Sequence, residues 1–174
     1  MSQPYQDSCD TSGTRQDGSR ELLAGRLKDY EERLRDIVAK YEHDPDKIFL
    51  QSLADVKEVI SDIYLILRKD AESQDGVLAK LPGIWESLKK VYEQTHMAAG
   101  KLRPIFERYV KIRSDHEGGR EPTPAELDDT TDRMIDRRHQ WLEKITEFQQ
   151  VFSAFYREIA RAEETSTENL FSGD

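Results

Sequence analysis

The chain has 174 residues, 36% of them hydrophobic and 35% charged, with a net charge of -9. That size suits one domain, and so little apolar material favours thin seams between long helices over a broad sandwich or barrel. The acidity argues against nucleic acid as the main partner, because counterion release needs clustered Lys and Arg. The acidic excess is expected in the tails and one loop, where Asp115, Glu117, Glu121, Glu126, Asp128, Asp129 and Asp132 face only Arg120.

Residues 1–19 are rich in Ser, Gln, Asp, Thr and Gly and nearly free of aliphatics. They bury too little to offset ordering and are read as a disordered tail. They hold the one cysteine, Cys9, so no disulfide forms within the chain and a reducing setting is the default. No run approaches the ~18–20 apolar residues of a membrane span, and no signal-peptide core is evident.

The bundle or coiled-coil domain is expected over 20–163. Its first helix, about 20–42, has Leu23, Leu27, Tyr30, Leu34, Ile37 and Tyr41 at alternating four- and three-residue spacing. His43-Asp44-Pro45-Asp46 then breaks the helix. Asp44 is expected to cap the next one and Pro45 to open it, where no amide donor is needed. The second helix, about 45–69, repeats the spacing through Phe49, Leu53, Val56, Ile60, Ile63 and Leu67. Leu50, Val59, Tyr64 and Ile66 widen its apolar face, which places it centrally.

After a polar connection over 70–76, a third helix is expected over 82–113. Gly100 and Pro104 fall inside its pattern, and Pro104 lacks the amide that would bond the Gly100 carbonyl. A kink near 100–104 is the leading expectation, a split into two helices the alternative. Ser114 to Thr123 is a loop. Thr123-Pro124-Ala125-Glu126 has the form of a capping box before a fourth helix over 124–163. Leu127, Thr131, Met134, Arg138, Trp141, Ile145, Phe148, Phe152, Phe155, Ile159 and Ala162 hold the four-three spacing along it. Residues 164–174 are expected to be a flexible tail.

The chemistry of a site is harder to find. Glu93-Gln94-Thr95-His96 has the Glu-x-x-His spacing of di-metal bundles, but it occurs once and lacks the further inward glutamates such a centre needs. Ala99-Gly100-Lys101-Leu102 lacks the earlier glycine and the following Ser or Thr of a phosphate loop. Cys9 lies in a segment that would not hold a nucleophile's geometry. No catalytic residue, metal or cofactor is therefore assigned. Arg138, in a seam, either packs its stem while its head reaches water or forms a buried polar layer that sets register, with Asp62 or Glu86 as guessed partners.

The expected fold is all-α: an elongated, antiparallel, up-and-down bundle of about four helices with coiled-coil heptad packing. Leu27, Leu34, Leu53, Ile60, Arg138, Trp141, Phe148, Phe152 and Phe155 are the candidate partner interface. The expected function is a non-enzymatic structural or adaptor subunit of a larger cytoplasmic complex, of cytoskeletal, motor-associated, kinetochore or tethering type. In layout alone it is similar to small helical subunits of dynactin, kinetochore and vesicle-tethering assemblies. It would bind proteins by helix packing, as a homo- or hetero-oligomer, with no nucleic acid and no membrane span. The alternatives are a self-sufficient helical binding module, chaperone or effector, and, more remotely, a cofactor-binding bundle enzyme.

Overall fold

The computed structural model describes residues 22–119 and 123–171. The N-terminal tail expected over 1–19 lies outside the described residues, as do 172–174 at the other end. Four helices make the fold: α1 (Leu23–His43), α2 (Leu50–Glu72), α3 (Pro82–Glu117) and α4 (Pro124–Phe171). No strand occurs among the described residues. The helices form a bundle in which α4 packs against α3 and α1, and α2 against α3 and α1.

Three boundaries differ from the sequence expectation. Asp44 makes no capping bond and Pro45 opens only a short 3-10 turn, Pro45–Lys47. The reason is Ile48, which is fully buried just after that turn in an extended conformation, so α2 starts at Leu50. Ser52 serves the start of α2, its hydroxyl accepting from the Phe49 amide at 2.7 Å and donating to the Phe49 carbonyl at 2.8 Å. α3 runs on to Glu117, past the expected end at 113 and into the expected loop, and it is not split at Gly100 and Pro104. Both residues are exposed, so water can serve the carbonyl that Pro104 leaves without a donor. α4 continues to Phe171, well past 163. Thr123 supplies the hydroxyl half of its expected cap, accepting from the Glu126 amide at 3.3 Å.

The connection between α2 and α3 is more than a polar spacer. Leu78 is buried on a second 3-10 turn, Leu78–Lys80, and its amide donates to an Asp70 carboxylate oxygen at 2.7 Å. Gly76 lies so close to the end of α2 that a β-carbon there would come within 1.7 Å of the Asp70 carbonyl oxygen. Only a residue without a side chain fits the chain path that brings Leu78 into the core.

A tertiary cap closes the start of α1. Leu22 offers no side-chain bond to the free amides of the first turn. The Glu163 carboxylate on α4 takes that place, accepting from the Ala24 amide at 2.9 Å. Glu163 is buried, and desolvation, the largest effect on it, pushes its pKa up. The backbone donors at Ala24 and Leu23 pull the other way, while the nearby charge of Asp70 adds to the rise. A carboxyl whose pKa is raised by folding binds its proton more tightly in the native state. The associated stabilisation is full at acid pH and is lost as pH rises through the raised value. Glu163→Gln keeps an oxygen to cap α1 and fixes the neutral form. The variant's Tm minus that of the wild type should therefore grow from acid to neutral pH, and thermal melts across that range would show it. A difference independent of pH would mean that Glu163 is not held against ionisation.

Candidate functional site

Eight of the nine candidate interface residues are buried in the chain's own interior: Leu27, Leu34, Leu53, Ile60, Arg138, Trp141, Phe148 and Phe152. Phe155 is half-buried against the same core. The three large rings of α4 are each worth roughly 1.5–3 kcal/mol of burial, and they are spent inside the bundle rather than held open for another chain. Phe148 and Phe152 stack at 6.1 Å between centroids, and Tyr156 continues the row at 6.4 Å. On the opposite side of the bundle Tyr64 of α2 stacks on Tyr92 of α3 at 3.9 Å, with Trp85 beside it at 5.6 Å.

Polar groups interrupt this interior at defined levels. Glu31 of α1 is buried and accepts from the Ser153 hydroxyl of α4 at 2.8 Å, while Gln149 donates to Ser153 at 2.8 Å. Arg35, one turn along α1, pairs with the same Glu31 carboxylate. On the α3 side, the buried Thr95 hydroxyl donates to the Val91 carbonyl at 2.8 Å and lies 3.4 Å from the Lys144 carbonyl of α4. These bonds fix the sliding position of α4 against both neighbours, since a slip would leave buried polar groups without partners.

Arg138 is a buried layer and does not reach past the seam into open water; its exposure is 7%. Its partner is neither Asp62 nor Glu86. The guanidinium lies 3.5 Å from an Asp46 oxygen on the first 3-10 turn, over the Phe106 ring at 5.3 Å and over the Phe49 ring at 5.8 Å. Burial lowers its pKa and the Asp46 charge opposes that shift. Asp46 is 90% exposed, so water screens it and the ion pair is weak. The two rings and the packed stem hold the side chain.

Arg138 also marks where the four-helix cross-section ends. Asp46 and Phe49 belong to the turn between α1 and α2, and Phe106 to α3. Beyond that level α3 continues to Glu117, and α4 begins only at Pro124, on the far side of the turn from α1 and α2. The stretch past Arg138 carries exposed apolar side chains: Val110 at 53%, Leu127 at 40% and Ile135 at 44%, with Phe49 at 58% at its edge. Leu127 and Thr131 were expected seam residues; Thr130 is buried in their place, and Met134 is buried as the spacing expects. The exposed face was not among the candidate interface residues. Its signal in the sequence was helix length: α3 and α4 are longer than α1 and α2, so they must outrun them.

Little else has the form of a ligand site. An open groove of about 370 Å³ runs between Arg26 of α1 and Leu65, Ile66, Arg68, Lys69 and Glu72 of α2. Its Arg68 is held by Glu72 at 2.9 Å. A cleft beside Trp141, lined by Tyr92, Thr95 and His96 among others, has room of about 10 Å³. Among the described residues no three His, Cys, Asp or Glu side chains gather as metal ligands, and no helix is long and apolar enough to cross a membrane. Comparison with known proteins finds no matching family model, no similar curated protein and no similar solved structure.

The Arg138 level separates packing from charge in a testable way. Arg138→Ala removes a stem packed between two rings and should lower stability by about 2–3 kcal/mol. Arg138→Met keeps the stem without a buried charge and should stay within about 1 kcal/mol of the wild type or exceed it. Asp46→Ala should change stability by less than about 0.5 kcal/mol. Denaturant melts of the three variants check the order; an Asp46→Ala loss as large as that of Arg138→Ala would assign the level to the ion pair.

Proposed function

We propose that the chain is a non-enzymatic structural or adaptor subunit of a larger intracellular assembly and that it docks through the open end of the α3–α4 pair. The observation that carries this reading is the exposed set Val110, Leu127 and Ile135, with Phe49 at its edge, on the length of α3 and α4 that α1 and α2 leave uncovered. Large apolar side chains left exposed at one end of a bundle are a usual mark of a protein contact. The nine seam residues act in this reading as the scaffold that holds the patch in place.

The finer architecture belongs to the same proposal. Ala24 meets Glu163 while Glu31 meets Ser153, so rising numbers on α1 meet falling numbers on α4. Thr95 meets Lys144 while Phe106 meets Arg138, the same relation between α3 and α4. These pairs favour an up-and-down antiparallel bundle, and the four-three spacing of the buried positions favours coiled-coil packing between α3 and α4. A cytoplasmic, cytoskeleton-associated setting remains part of the proposal, motivated by the single cysteine and the helical layout. The runner-up, a self-sufficient binding module, is favoured by one observation: the chain buries its own seams.

Affinity purification from the native cell tests the reading. Ile135→Asp should release protein partners while leaving the fold intact by circular dichroism. Met97→Asp, on an exposed position of α3 away from the patch, should keep them. A folded Ile135→Asp chain that retains every partner would overturn the proposal.

A further inference from the structure

The open end of the α3–α4 pair has a face, and sequence spacing identifies what used to cover it further along. On α3, Tyr92, His96, Ala99, Arg103, Phe106, Val110, Arg113 and Glu117 follow one another at four- and three-residue steps. The early part of that stripe meets α2, where Tyr92 stacks on Tyr64. On α4, Ile135, Leu142, Gln149 and Tyr156 recur every seven residues, and this stripe meets α1 through the Gln149–Ser153–Glu31 chain. Val110 and Ile135 therefore continue the two surfaces on which α2 and α1 lie, past the point where the Pro45–Lys47 turn ends both. The uncovered end is half of a four-helix cross-section.

The missing half has the same dimensions as the half that is present. We infer that the open end of α3–α4 pairs with the same end of a second copy of this chain, the two lying antiparallel and face to face about a two-fold axis near Val110 and Thr131. Self-complementarity is the argument. With α3 reversed on itself about Val110, Glu107 falls opposite Arg113 of the second copy and Val110 meets its own equivalent, while Arg103, at the covered edge, pairs with Glu107 of its own chain at 3.1 Å. All these side chains are exposed. With α4 reversed about Thr131, Leu127 falls opposite Ile135.

The two pivots lie within one helical turn of each other. Phe106 is beside Arg138, so Val110, one turn further along α3, lies beside Met134, with Thr131 less than a turn away on the descending numbers of α4. One axis serves both helices. The open length of α3 over 107–117 is on the order of 15 Å, and the antiparallel sense points each copy's tip towards the other's α1–α2 turn. Exposed Phe49 lies at the edge of the shelf, where the incoming tip ends. A self-complementary patch of this kind is what an isologous dimer requires. The opposite two-fold, with both tips pointing the same way, would drive one copy's α1 and α2 into the other's α3 and α4.

The inference rests on the docking surface proposed above and names its occupant. Sedimentation of the full chain should show a reversible monomer–dimer equilibrium. Glu107→Arg sets like charges across the axis and should weaken the dimer by roughly tenfold or more, and Glu107→Arg with Arg113→Glu should restore it. A cysteine at the axis gives a geometric check. On a Cys9→Ser background, Val110→Cys should form a disulfide-linked dimer on mild oxidation, and Met97→Cys should not. A chain that is monomeric at the highest concentration reached, or a dimer in which Val110→Cys stays unlinked while Met97→Cys links, would overturn the inference. The docking reading fails separately: a monomer whose Ile135→Asp variant still loses other partners keeps that reading and loses only the second copy.

Discussion

Burial of one face of α4 between α3 and α1 is the constraint on which the rest of the molecule depends. Met134, Trp141, Ile145, Phe148, Phe152 and Ile159 line that face, and all are buried. Each needs a neighbour on two sides, because the large rings extend past any single facing helix. α3 supplies Leu88, Val91, Ala99, Leu102 and Phe106, and α1 supplies Leu23, Leu27, Leu34 and Val38. α2 then closes the ring with Leu53, Val56, Ile60, Ile63 and Leu67. The polar contacts at Glu31, Thr95 and Arg138, as distinct from the packed Arg138 stem, add little to stability by comparison. They choose one sliding position among several that the apolar seams would accept.

The same constraint explains where function is proposed. α1 and the turn after it cover α4 from Glu163, at one end, to Arg138, at the other. Among the described residues, α1 and α2 do not reach α3 and α4 past Arg138, although apolar residues continue there. The surface at Val110, Leu127 and Ile135 follows from a mismatch of helix lengths and needs no separate motif. Binding at such a surface extends the packing inside the chain, with the same side-chain types and the same spacing.

Helix existence and seam positions were legible in the sequence because period and capping act locally. Leu27, Leu34, Leu53, Ile60, Trp141, Phe148 and Phe152 are in the interior because they recur on one face. Ile48 and Leu78 were not legible, since each lies on a connection and is buried by chain path rather than by period. Asp44-Pro45 had the chemistry of a helix start, yet tertiary burial of Ile48 displaced that start to Leu50. Glu163 stood at the expected end of the fourth helix with nothing to tie it to α1, and only the arrival of the α1 amides beside it makes it a cap. The partner of Arg138 was missed for a related reason: Asp46 comes from a turn, and periodicity carries no information about where turns land. For the docking surface, spacing identified apolar positions but not which of them α1 and α2 would reach.

Amide hydrogen exchange on the full chain, followed at low and high protein concentration, tests most directly whether the four-helix interior stops at the Arg138 level. The account expects slow exchange over 88–106 and 138–159 at every concentration. Over 107–117 and 124–135 it expects fast exchange in dilute solution that slows as concentration rises. Uniformly slow exchange along α3 and α4 in dilute solution would contradict it, as would fast exchange across Trp141 to Ile159.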